Sequence, residues 1–253
     1  MNLSLQKTSK IFDILMQCKK PVGVNEFSET LQMPKSTIFR FLSTLESLGF
    51  VRRDSETGKF FLGLKLFELG CKAMEDLGLR EVAIPKMESL RDLLNENVLL
   101  TILEGTHITY LDKIESQQVV VIQTNLGGTA PAYCVSGGKA MVAHFSERIE
   151  IIISEGLEKF TANTITDPKN FRQECQNIRE QGYAINNGEF QIDVHGVGTP
   201  IFNARGEVVG AISTAVPASR MSKELLEDHI KAVTKTGNDV SSLLGFSGLA
   251  QTI

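Results

Sequence analysis

Residues 34–62 read PKSTIFRFLSTLESLGFVRRDSETGKFFL. Ile38, Phe41, Leu42, Leu45 and Leu48 recur at intervals of three and four, the apolar stripe of a helix packed on one side. Pro34 stands where proline is tolerated, at the first helical position, and Gly49 suits the residue that ends the helix. The other face carries Lys35, Ser36, Thr37, Phe39, Arg40, Ser43 and Thr44. Hydroxyls donate or accept at several bases, and a guanidinium pairs with guanine or clamps a phosphate. Phe50–Arg53 and Lys59–Leu62 then read as two strands around the turn Asp54–Gly58. A basic hairpin directly behind such a helix is a wing, with Arg52, Arg53 and Lys59 placed to reach phosphates or an adjacent groove.

Upstream, Ile11, Ile14, Leu15 and Cys18 keep helical spacing behind a candidate N-cap, Ser4, and Pro21 and Gly23 end that helix. A short helix follows, with Phe27 and Leu31 on one face, before Gln32-Met33-Pro34 breaks the chain. Two short helices in tandem, the second led by small polar and basic residues, describe a helix-turn-helix whose second helix meets base edges. A structural three-helix bundle with a solvated polar face is the alternative, and the basic hairpin favours DNA binding.

Downstream, Gly63–Gly70 continues as a helix with an apolar face running toward Leu77, too apolar for a free linker. A second copy is the candidate to cover it. Winged helices read two half-sites about one DNA turn apart, which calls for a dimer on a pseudo-palindromic double-stranded operator. From Leu79 the pattern changes to a helix over 79–96, strands at Val98–Glu104, Ile108–Glu115 and Val119–Thr124, and a Gly/Pro-rich loop leading into a helix at 138–144. Helices near Glu147–Glu155 and Pro168–Gln181 come next, then strands at Tyr183–Asn186, Val194–Asn203 and Glu207–Ala215, and a long helix over Ser222–Leu244. This order predicts an α+β domain with a mainly antiparallel sheet. The expected organisation is an N-terminal, all-α, winged helix-turn-helix domain over 1–63, a linker helix over 64–78 and a second domain over 79–253, frayed after Gly245.

Composition is that of a globular chain, 42% apolar and 22% charged over 253 residues. The net charge of −4 is unevenly spread: ten Lys and Arg stand against seven Asp and Glu from Met1 to Gly70, and sixteen against twenty-three in the remainder. A mildly basic head on an acidic body suits contact with phosphate at one end. No apolar run is long enough for a membrane span, and the N-terminus lacks a signal-peptide pattern. Cys18, Cys71, Cys134 and Cys175 form no CxxC pair, so reduced thiols in the cytoplasm are expected.

The blocks GTAPAYCVSGGKAMVAH (Gly128–His144), GYAINNGEF (Gly182–Phe190) and VGTPIFNARGEVVGAISTAVPASR (Val197–Arg220) resemble the IclR family of bacterial regulators. The resemblance covers nearly the whole chain. It implies a C-terminal sensor domain of GAF-like fold, a homodimer or homotetramer, and repression of a catabolic operon controlled by a small organic, aromatic or sugar-derived acid. It places the effector pocket at Ser136, Gly137, Asn186, Gly196, Ser213 and Ala215. Ser136-Gly137-Gly138 before a helix would present backbone N–H groups to an anion, and Lys139 adds charge nearby or forms a structural salt bridge. Similar family members often carry acidic residues at the positions of Asn186 and Gly188, Cys at that of Gly196, and Ser or Thr at that of Ala215. Asn186 therefore removes a negative charge, while Gly196 and Ala215 widen the pocket. A larger or more anionic effector than a two-carbon acid is expected.

Enzyme readings find less support. His107, His144, His195 and His229 show no metal-binding spacing, so neither metal nor cofactor is expected. His229 is expected at the surface of the terminal helix, and His195 lies next to the pocket. GGKA is not a phosphate-binding loop, since it lacks the leading glycine spacing and the Ser/Thr after Lys. Cys134 has no partner base and reads as a small buried thiol. A small-molecule enzyme, or a redox sensor built on Cys134, joined to a helical bundle is the alternative.

Overall fold

The break at Gln32-Met33-Pro34 is a tight left-handed turn. Gln32 adopts φ +54°, and the Ser28 hydroxyl donates to the Met33 carbonyl at 2.6 Å. It separates helix α2 (Val24–Leu31) from α3 (Lys35–Ser47) in a computed structural model that describes residues 3–18, 20–75 and 78–247. Leu77, the side chain of Cys71 and the end of the chain after 247 lie outside the described residues. Two compact units divide at Leu77/Gly78.

In the first unit α1 spans Leu3–Gln17, so Ser4 lies inside its first turn rather than capping it. Pro34 is the N-cap of α3 rather than its first residue, and its carbonyl accepts from Thr37 (2.9 Å) and Ile38 (3.1 Å). The α3 stripe buries Ile38, Leu42 and Leu45 against Ile11, Leu15 and Phe27. Leu48, expected in that stripe, is 56% exposed because it caps the helix end just before Gly49 turns the chain at φ +79°. Strands β1 (Val51–Arg53) and β2 (Phe60–Leu62) pair antiparallel, and Val22 bridges to Phe60. Helix α4 spans Leu64–Glu75 and leaves Leu64 and Phe67 each 71% exposed.

The second unit opens with α5 (Leu79–Leu94) and holds a six-stranded antiparallel sheet in the order β5-β4-β3-β8-β7-β6. The strands are β3 (Asn97–Glu104), β4 (His107–Ile114), β5 (Thr129–Pro131), β6 (Ala184–Asn187), β7 (Val194–Phe202) and β8 (Val208–Pro217). Helix α5 and the terminal α9 (Lys223–Leu243) pack through Leu79, Met87, Leu90, Val233 and Val240 on strand residues Val98, Leu100, Val197 and Ile212. Helices α6 (Ser136–Val142), α7 (Ser146–Glu155) and α8 (Pro168–Gln181) pack in a separate core with Ile108, Ala184 and Ala211.

Two expectations are corrected here. Residues 119–124 form no strand; the place beside β4 is taken by β5, through His107↔Pro131 to Thr129↔Thr109. The alternating apolar run is instead a loop with Val119 fully exposed, tied down where Asn97 Nδ2 donates to the Ile122 carbonyl at 2.7 Å. His229 is buried, not exposed, since it shares the sheet-facing side of α9 with Val233, Gly237 and Val240.

Candidate DNA-binding face and ligand cavity

On α3 the side chains of Lys35, Ser36, Phe39 and Arg40 are exposed, and Thr37 and Ser43 are half-buried. Neither Lys35 nor Arg40 has a side-chain hydrogen bond or ion pair with another described residue. Strand alternation sends the two wing arginines to opposite sides. Arg53 Nε donates to the Gly58 carbonyl at 3.0 Å, and its guanidinium lies 5.9 Å from the Phe39 ring. Arg52 stacks at 4.0 Å over Phe61, its cross-strand partner. The turn between them is built by Asp54, whose Oδ1 accepts from the Thr57 N–H (2.7 Å) and hydroxyl (2.8 Å). Lys59 is less free than its position in the sequence suggests. Its Nζ pairs with Glu26 Oε1 at 3.1 Å, and this hydrogen bond holds the Glu26 carboxyl below its ordinary range. Both groups are exposed, so phosphate can displace such a pair at little cost.

In the second unit a cavity of about 180 Å³ lies between the sheet, the start of α6, the loop over 116–128 and the β6–β7 turn. Five of the six expected residues, Ser136, Gly137, Asn186, Ser213 and Ala215, line it together. Gly196 does not. A Cβ there would meet the Thr214 carbonyl oxygen at 2.1 Å, so this glycine allows two strands to close up rather than widening the cavity. Ala215 is on the wall.

The glycines of Ser136-Gly137-Gly138 also serve close packing: a Cβ on Gly138 would lie 2.3 Å from the Ala132 carbonyl oxygen. Lys139 is consumed by structure. It is 1% exposed, with Nζ 2.7 Å from Glu189 Oε1 and 2.9 Å from Glu174 Oε1. This pair anchors the turn that carries Asn186, whose Oδ1 accepts from the Glu189 N–H at 2.9 Å. Burial raises the pKa of Glu189.

Among the described lining residues none is Asp, Glu, Lys, Arg, His or Cys. The polar part of the wall consists of hydroxyls and amides, including Tyr110, Gln123, Thr124, Asn125 and Gln191, alongside apolar Leu99, Ile108, Ile122 and Phe190. This wall does not favour the more anionic effector expected from the sequence. Gln123, Thr124 and Asn125 escape sequence reading because the run before them imitates a strand; the polar triplet itself is the signal. Their loop is clamped by Arg220, which donates to the Val120 carbonyl at 2.9 Å and grips buried Glu96 with Nε and Nη2 at 2.7 and 2.6 Å.

His195 lies on β7 and does not line the cavity. Cys134 is buried with Sγ 3.4 Å from the Pro131 carbonyl oxygen, and burial pushes its thiol up to about 12, which disfavours a reactive thiolate.

Comparison with known proteins settles what carries these two features. Residues 4–55 match the IclR helix-turn-helix domain, and residues 71–242 match the family described as bacterial transcriptional regulator IclR C-terminal. The chain belongs to the IclR family. The HTH-type transcriptional regulator KdgR of Escherichia coli is 32% identical over 96% of this chain and 94% of its own length. The HTH-type transcriptional repressor AllR of Escherichia coli is 29% identical over 96% of this chain and 90% of its own length. Among solved structures, the Thermotoga maritima IclR superposes with a TM-score of 0.78 at 28% identity, covering 96% of this chain and 99% of that one. An IclR homolog from Microbacterium hydrocarbonoxydans, solved with 4-hydroxybenzoate, reaches 0.85 at 24% identity over 95% and 98% of the two chains and shares the fold. This IclR-family chain is thus a transcriptional regulator with an N-terminal helix-turn-helix domain and a C-terminal effector domain.

Proposed function

We propose that the protein represses a catabolic operon by binding pseudo-palindromic DNA as a homodimer or homotetramer, and that a small acid in the 180 Å³ cavity controls it. The carrying observation is the α3 face, where Arg40 and Lys35 stand exposed beside the wing and unpaired among the described residues. Lys35, Ser36, Thr37, Phe39, Arg40 and Ser43 address base edges and adjacent phosphates, and Arg52, Arg53 and Lys59 hold the backbone. The role is binding rather than catalysis, and its DNA target sets its place of action in the cytoplasm. The AllR relative, described as a repressor, supports the sign of regulation.

Ser136, Gly137, Asn186, Ser213 and Ala215 form the effector wall, and Gly196 shapes it from behind. A wall of hydroxyls and amides suits an effector with several hydroxyls or an aromatic ring and at most one carboxylate. Effector control requires unequal binding to the operator-competent and operator-incompetent states.

A gel-shift titration of fragments upstream of the protein's own gene, at fixed salt with competitor DNA, tests DNA recognition. The wild type retains one fragment, and Arg40→Ala weakens that complex by about 1–3 kcal/mol. Equal retention of every fragment by the wild type overturns the operator reading. A thermal-shift screen of sugar acids, keto acids and 4-hydroxybenzoate tests the cavity. A compound that raises Tm in the wild type and in Asn186→Leu alike does not bind there.

A further inference from the structure

Helix α3 buries Ile38, Leu42 and Leu45, and the helical period therefore turns Lys35, Ser36, Phe39, Arg40 and Ser43 away from the core. Phe39 differs in kind from the rest of that side. It is 46% exposed, the one large apolar side chain of α3 left so open. Lys35 and Ser36, one turn before it, and Ser43, one turn after it, are polar. The wing sets a cation beside the ring. The Arg53 guanidinium lies 5.9 Å from the Phe39 ring and 5.5 Å from that of Phe60, which is fully buried, so it ties Phe39 to the rim of the core. Arg53 is itself anchored by the hydrogen bond from its Nε to the Gly58 carbonyl, and a Cβ on Gly58 would come within 3.1 Å of its Nη2.

A single exposed apolar side chain is ordinary on a protein surface. On a face that meets DNA its choice of partner is narrow. Phosphates are charged, and base edges in the major groove present donors, acceptors and one methyl group, that of thymine. A phenyl ring answers neither a hydrogen-bonding group nor a charge of that kind. It does gain by covering a methyl group, since both surfaces leave water.

We propose, resting on α3 as the recognition helix proposed above, that the Phe39 ring packs against the C5-methyl group of a thymine in the major groove and thereby selects thymine at one position of each half-site. Deoxyuridine removes that methyl group and keeps the pairing edge of the base. The fragment retained in the gel shift is remade with each thymine in turn replaced by deoxyuridine. At one thymine per half-site the wild type loses about fourfold in affinity, as expected for one buried methyl group.

Phe39→Ala binds the thymine and deoxyuridine versions of that site equally. Both proteins are compared at a salt concentration low enough to hold the weaker complex, and the double comparison cancels any general weakening by the substitution. A wild type that retains one fragment yet binds every deoxyuridine version as tightly as the parent overturns this contact and leaves operator binding intact. So does a difference that persists undiminished in Phe39→Ala, because it assigns the methyl group to another residue. Equal retention of every unsubstituted fragment overturns the operator reading, and the contact with it.

Discussion

Lys59 and His229 show how far a residue's role depends on its partners. Lys59 is exposed and basic, yet Glu26 holds it at 3.1 Å in the free protein. Lys59→Ala should lower affinity for all DNA sequences alike and flatten the salt dependence by about one unit of slope, as loss of one phosphate contact does. Binding curves over a salt series check this, and a loss confined to the operator would remove Lys59 from the phosphate set. His229 is fully buried, with Nδ1 3.2 Å from Thr214 Oγ1. Burial depresses its pKa below 6.5, against smaller opposing effects of Glu96 and Asp228. The unfolded chain therefore binds a proton that the folded chain refuses. Stability is intact above about pH 6.5 and declines as the pH falls through the depressed value. His144 and His195 shift in the same direction, so the test is a difference. Urea unfolding of His229→Gln should show a smaller loss between neutral and mildly acidic pH than the wild type. Parallel pH profiles would refute the assignment.

At the level of elements, the loop over 116–128 carries the most consequence. Its residues 122–125 line the cavity, Asn97 and Arg220 hold its backbone at Ile122 and Val120, and only its end, at Gly127 and Gly128, bonds to the backbone of Tyr110 on β4. Arg220 is itself fixed by Glu96, which is 3% exposed. Arg220→Gln strands that carboxylate, and removal of one partner from a buried pair costs about 3–5 kcal/mol. Urea denaturation should report this loss, together with faster amide exchange across 119–126; unchanged exchange there would show that the clamp does not hold the loop. The segment also marks a limit of sequence reading. Apolar residues at 119–122 satisfy a strand pattern locally, but β5 already pairs with β4 at that edge, and a local pattern does not report a competitor elsewhere in the chain. Helix α8, with Asp167 capping through Asn170 N–H and Gly182 ending it at φ +81°, was legible at both ends because its signals are local.

For the whole molecule, the proposed assembly predicts a partner for the exposed apolar side chains of α4. Leu64 and Phe67, each 71% exposed, are a poor surface for water and a good one for a second copy. Phe67→Glu should lower the mass seen by sedimentation and, with it, operator affinity, because two half-sites need two heads. An unchanged mass would place the interface elsewhere. By itself the sequence determined what depends on neighbours within a few turns: the helix-turn-helix, the wing and the α+β order of the second unit, while the family blocks pointed to five of the residues on the cavity wall. Periodicity, capping and turn chemistry act over such distances, and the family blocks extend them. Tertiary structure alone decided where charge and space lie. It consumed buried Lys139 in ion pairs with Glu174 and Glu189, turned Gly196 into a backbone contact, buried His229 and left His144 Nε2 and Thr234 Oγ1 without a hydrogen bond among the described residues. Each outcome depends on which atoms from distant parts of the chain share a few ångströms, and burial and pairing are properties of that shared space rather than of any residue in it.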